Sequence, residues 1–138
     1  MSYVTTSDAN FITCRINTDG TIDSTFGNNG YAEYGFGTNE DAANAVKVLS
    51  DGSILVAGYS RQPSKRSTLV KYTTDGVVDS TFGVNGVLII SNAGGSTDQI
   101  TSIDQLVDGT IVSTGYKTSS SGANSAIAFR IDNLGNPL

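Results

Sequence analysis

Apolar residues in this chain come in short runs, such as Ile54-Leu-Val-Ala57 and Val87-Leu-Ile-Ile90, rich in Val, Ile, Thr and Tyr and closed off by Gly, Asp, Asn and Ser. Short β-branched runs between turn formers predict strands, and no stretch sustains a helical period. Asp51-Gly52 and Asp108-Gly109 each lie between two such runs. A tight reversal there needs a residue that tolerates positive φ, so both dipeptides predict antiparallel hairpins.

The pattern repeats. Asp19-Gly-Thr-Ile-Asp-Ser-Thr-Phe-Gly-Asn-Asn-Gly30 returns as Asp75-Gly-Val-Val-Asp-Ser-Thr-Phe-Gly-Val-Asn-Gly86, about 56 residues later. Asp51-Gly-Ser-Ile-Leu-Val-Ala-Gly-Tyr59 returns as Asp108-Gly-Thr-Ile-Val-Ser-Thr-Gly-Tyr116, and Asp41 returns as Asp98. A third series runs through Phe11–Ile16, Thr68–Tyr72 and Ala126–Ile131, followed by Gly20, Gly76 and Gly135. One unit therefore reads as strands near Asn44–Leu49, Ser53–Tyr59, Thr68–Thr73 and Val87–Ile90, with Phe82, and Phe26 one unit earlier, tucked into the core to anchor the connection.

Four antiparallel strands in a unit of this size match one propeller blade; a sandwich is the alternative. The fold class expected is all-β, with two four-stranded antiparallel repeats and part of a third. Residues 1–10 are expected to be a flexible segment, and 11–138 a single propeller-repeat domain with repeat connections at 19–30 and 75–86.

The pattern Arg15-x-Asn-x-Asp-Gly-x-x-Asp-Ser-Thr-Phe-Gly-x-Asn-Gly30, followed by Asp51-Gly-x-Ile-Leu-Val-Ala-Gly58, resembles the delta-60 repeat of bacterial and some viral proteins. The resemblance covers nearly the whole chain from Phe11. It implies propeller blades and carries no assigned activity or catalytic residues. Members of that family usually carry more repeats than this chain.

Composition narrows the function. The chain has 138 residues, a net charge of −5 and eight basic residues, so nucleic acid and anionic membrane are not expected partners. The polar stretch Met1–Asn10 has neither the basic start nor the apolar run of a secretory signal, and nothing reaches transmembrane length. Cys14 is the lone cysteine and aligns with Val70 and Phe129, so it reads as a small core residue. No histidine is present, which removes histidine-based nucleophilic and general-base machinery and most zinc sites. No enzyme activity, cofactor or metal is expected.

The acidic motifs have local explanations. Glu40-Asp41 and Asp19 with Asp23 are carboxylate pairs with no established common cleft. Asn17-x-Asp19-Gly-x-x-Asp23 faintly resembles a calcium loop but lacks EF-hand spacing and reads as a turn. Asp41 and Asp98 precede the innermost strands, where bonding to backbone amides is expected over an axial cation array.

Two units cannot close a ring of roughly four to eight blades. Faces carrying Val46, Val48, Ile54 and Val56, or Ile103, Ile111 and Val112, would be left open, so a homo-oligomer is expected, most simply a cyclic trimer with six blades. Its interface is expected at Tyr31, Tyr34, Phe36, Phe129 and Ile131, with Tyr31–Phe36 of one copy adding a strand beside Asn124–Ile131 of the next. Lys47 and Asp104 share one position in successive inner strands, which could pair opposite charges around the ring.

The connections Gly37–Glu40, Arg61–Arg66, Ala93–Thr97 and Ser119–Ala123 differ between units and would cluster at one end, where binding specificity is placed at little cost to the core. Tyr59, Arg61, Lys65, Arg66 and Tyr116 are the candidate ligand-binding residues there. The expected role is a non-enzymatic structural or interaction module that binds a protein partner or belongs to a larger particle, such as a phage tail or capsid accessory. A carbohydrate-binding propeller and a fragment of a longer multi-repeat propeller are the alternatives.

Overall fold

The computed structural model describes residues 9–37, 40–61, 64–90 and 97–138. The flexible segment expected over residues 1–10 falls outside them apart from Ala9, which bridges to Glu40, and Asn10, whose side-chain amide donates to Glu33. Parts of three divergent loops, residues 38–39, 62–63 and 91–96, also lie outside.

Among the described residues, nine strands form three antiparallel sheets. β1 (Phe11–Cys14) pairs with β2 (Tyr31–Tyr34); β3 (Ala42–Val48), β4 (Ile54–Arg61), β5 (Lys65–Tyr72) and β6 (Val87–Ile90) form a four-stranded meander; β7 (Thr97–Gln105), β8 (Ile111–Thr118) and β9 (Asn124–Ile131) form a third sheet. The duplication extends to irregularities. β3 shifts register between Ala43 and Ala45, and β7 between Ile100 and Ser102, at corresponding positions. Opposite each bulge stands a glycine whose missing Cβ would lie 1.9 Å from the Ala42 carbonyl oxygen (Gly58) or 2.0 Å from that of Gln99 (Gly115). Close backbone approach at a bulge admits only glycine.

The sheets stack face to face in series. Phe11, Phe26 and Ala32 pack against Ile54, Val56, Val70, Tyr72 and Val87 to form one core. Leu49, Leu55, Ala57, Leu69 and Phe82 pack against Ile100, Ile103, Ile111 and Ile131 to form the other. Both faces of the middle sheet are thus covered, which is why β4 is buried along its whole length except Arg61. The Tyr72 phenol is pushed up to about 12 by burial and, secondarily, by Tyr34 and Glu33.

Three expectations change. The structure holds one complete four-stranded sheet between a two-stranded and a three-stranded one, because the sequence repeat and the sheet start at different points of the unit. Ile54, Val56, Ile103 and Ile111 are interior residues of the two cores, whereas Val46 and Val48 remain open. Cys14 is exposed, since among the described residues no sheet packs on the outer face of the first.

Candidate functional site

The recurring connection joins neighbouring sheets through a repeated device. Asp19 accepts from the Thr21 hydroxyl (2.6 Å) and amide (2.9 Å), and Asp23 does the same with Thr25, closing two consecutive turns. Asp79 repeats the arrangement with Thr81. These turns direct Phe26 and Phe82 into the interior. The Gly27 amide then donates to the Asp75 carbonyl (2.7 Å), and the Gly83 amide to that of Leu134 (2.8 Å).

A cation completes each junction. Arg15 pairs with Asp23 (2.8 Å), stacks 4.9 Å from the centre of the Phe26 ring and donates to the Thr74 carbonyl of the next sheet (2.7 Å). Lys71, the equivalent residue, lies 3.4 Å from Asp79 and donates to the Asn133 carbonyl (3.3 Å) and its side-chain oxygen (3.0 Å). The Asn17–Asp23 segment is therefore a joint whose carboxylates bond to hydroxyls, amides and a guanidinium. Sequence reasoning missed the joining role of Arg15 and Lys71, although each cation stands eight residues before an aspartate.

Those bonds hold the turn carboxylates below their usual range. The leading cause is the hydroxyl of Thr21, Thr25, Ser53 and Thr81 for Asp19, Asp23, Asp51 and Asp79 respectively, and the Thr110 amide for Asp108. A carboxyl with a lowered folded pKa contributes stability that is complete above its unfolded value, about 3.9, and lost as pH falls through the folded value. Thermal melts should show a midpoint nearly level between about pH 7 and 5 that drops below about pH 4. A midpoint that rises on acidification would contradict this arrangement.

At the divergent-loop end, a cleft of about 300 Å³ opens between the second and third sheets, lined by Arg61, Lys65, Thr97, Asp98, Gln99, Tyr116 and Thr118. Among the five residues singled out from sequence, Arg61, Lys65 and Tyr116 meet here. Tyr59 lies beneath, with the Lys65 ammonium 3.9 Å from the centre of its ring and its hydroxyl donating to Glu40 (2.6 Å). Arg66 neighbours Lys65 on β5 and so points to the opposite face of the sheet.

Glu40 was not foreseen as part of this site. It lies 3.5 Å from Arg61 and 3.8 Å from Lys65, and is held below its usual range first by the Tyr59 hydroxyl and then by Lys65 and Arg61. One carboxylate thus faces two cations, leaving a polar cleft of mixed sign. Gln99 was missed as well; its amide donates to the Tyr116 hydroxyl, an arrangement that nothing in the local sequence signals. Asp41 is buried and accepts from the amides of Phe36 (3.1 Å) and Arg61 (3.2 Å), the local bonding expected of it.

The second region of interest is the open flank. Tyr31 is exposed there, but Tyr34 and Phe36 pack into the first core, with Phe36 edge-on to Phe11 at 5.4 Å. Ile131 is buried in the second core and Phe129 is half-buried. Of the five interface candidates, then, Tyr31 is exposed, Tyr34, Phe36 and Phe129 are half-buried, and Ile131 is buried. Lys47 and Asp104 pair at 2.6 Å, so the opposite charges meet between successive inner strands within one chain.

Comparison with known proteins bears on the sheets. A family described as "Domain of unknown function (DUF5122) beta-propeller" matches residues 4–26 and 49–82. The match supports a beta-propeller repeat family. It does not extend to the narrower delta-60 name. The matched residues take in β1 of the first sheet and β4 and β5 of the middle sheet. No significant match was found among curated proteins. Among the described residues, no helix is long and apolar enough to cross a membrane.

Proposed function

We propose that this chain is a non-enzymatic propeller module that assembles with copies of itself, most simply as a cyclic trimer, and offers its divergent-loop end to a protein partner. The observation that supports the reading is the flank beside the first sheet. Ile12 and Ile16 are 58 and 53% exposed in and just after β1, Val46 and Val48 are 59 and 62% exposed on β3, and the outer edge of β1 has no strand partner among the described residues. Apolar residues and a free strand edge side by side favour association.

Aspartate at Ile12 and Val48 tests it. Light scattering should find the wild type as a multimer and the Ile12→Asp/Val48→Asp protein as a folded monomer, since both side chains are more than half exposed and neither belongs to an intrachain core. A wild type that is monomeric at micromolar concentration overturns the reading.

The loop-end cleft favours a second reading, a carbohydrate ligand. Tyr116, Gln99, Thr97 and Arg61 offer a ring face and hydrogen-bonding groups around a volume suited to one sugar ring, and several copies would raise a weak affinity by multivalency. A glycan array with no signal above background discards this reading and leaves the protein-binding one.

A further inference from the structure

Three observations converge on the two ends of the sheet series. The first concerns the joints. Gly76 and Gly135 have φ of +80° and +88°, and an added Cβ at either would meet a ring atom of Phe26 (2.8 Å) or Phe82 (3.2 Å). Gly20 has the same conformation, φ +86°, with nothing within 4 Å. Two phenylalanine connections thus serve a chain with three glycine seats, and the third seat departs from the repeat, with Leu134 where Asp19 and Asp75 stand.

The second concerns strand identity. β1 and β9 are the same strand of the unit. Arg15 and Arg130 align with Lys71, and the short bridges Ile16 to Ile22, Tyr72 to Val78 and Ile131 to Pro137 recur in step. Cys14 therefore aligns with Phe129, the residue opposite Ser113 on β8.

The third concerns anchoring. Only Ile131 is buried among the eight residues of β9, whereas Ser67–Tyr72 of β5 are all buried. β1 and β2 are held to the middle sheet by Phe11 and Ala32. A groove lined by Ile12, Cys14, Ala45, Val46 and Val56 runs along the edge of β1 that no described strand pairs with, where the two inner strands of a first blade would lie.

We propose that on assembly β1–β2 of one copy replaces β9 of the next, so that β7–β8 of one chain and β1–β2 of another make one complete four-stranded blade. This rests on the self-assembly proposed above and specifies its contact. The expected simple addition of Tyr31–Phe36 beside β9 would leave two third strands in one blade; exchange leaves one. The β7–β8 hairpin fills the groove over Val46 and Val48, Ile16 takes the place of Ile131 beside Ile111, and Ser113 faces Cys14 of the other copy. Phe82 moves to Gly20 and Lys71 to the Thr18 carbonyl, so two phenylalanines serve two seats and every joint repeats the one between Phe26 and Gly76.

The native Cys14 provides the test. Full-length Ser113→Cys protein, oxidised with copper phenanthroline, should run mostly as interchain-linked species on a non-reducing gel, and the same protein with Cys14→Ser should not. If β9 stays in place, the introduced thiol is covered within its own chain, and a monomer-sized band overturns the proposal. A multimeric wild type without the crosslink overturns exchange and leaves self-assembly standing; a monomeric wild type overturns both. Should the variant fail to fold, limited trypsin treatment of the wild type decides. Exchange expects cleavage first after Arg130 with Arg15 protected, and the reverse order overturns it.

Discussion

Phe82→Ala should destabilise the chain by about 3 to 5 kcal/mol, the usual cost of truncating a fully buried phenylalanine. Phe82 has no exposed surface and belongs to the core formed by Leu49, Leu55, Leu69, Ile100 and Ile131. Its ring also seats against Gly135 across the joint, so truncation opens a void at the contact that holds the second and third sheets together. With a total stability of roughly 5 to 15 kcal/mol for an ordinary domain, much of the protein should be unfolded in mild urea. Urea denaturation followed by circular dichroism measures the loss. A cost below about 1 kcal/mol would mean that the connection is ornamental and the sheets are held by strand-face contacts alone.

Lys71→Met should cost about 2 to 3 kcal/mol, because it removes the charged hydrogen bonds of a buried ammonium, while Asp79 and Asp51 keep their bonds to Thr81 and Ser53. Lys71 is 3% exposed, and its ammonium serves Asp79, Asp51 and Asn133 together. Methionine keeps the length and apolar stem, so the loss reports the charge and its hydrogen bonds. Arginine should restore most of the stability, since Arg15 performs the same task one repeat earlier with a bond to the Thr74 carbonyl. The corresponding Arg15→Met change should cost less than about 1 kcal/mol, because the Arg15–Asp23 pair is more open to water and better screened. Equal costs at the two sites, by chemical denaturation at pH 7, would show that burial does not set the strength of this joint.

Much of this architecture was legible in the residues. The Asp-Gly dipeptides marked the β3–β4 and β7–β8 hairpins because few residues tolerate positive φ, and Gly52 and Gly109 have φ of +83° and +87°. Phe26 and Phe82 were legible as anchors because they are large apolar residues held at a fixed place within a polar turn. What the repeat could not convey was which neighbours a strand meets. Cys14 and Val70 occupy the same position of the unit, yet one is exposed and the other buried, because among the described residues only the second has a sheet on both sides. The cleft was half legible. Arg61 and Lys65 stood out as basic residues in a divergent loop, and the Gly37–Glu40 connection was expected at the same end, but the pairing of Glu40 with both cations had no local signal.

The joints, cores and open flank support the proposal that the partial sheets belong to blades completed by other copies. Native mass spectrometry of the wild-type chain at micromolar concentration tests this most directly. The account predicts a single assembly at three times the 14.3 kDa of one chain, closing six blades. A persistent species of one chain mass, folded and soluble with its flank uncovered, would contradict it.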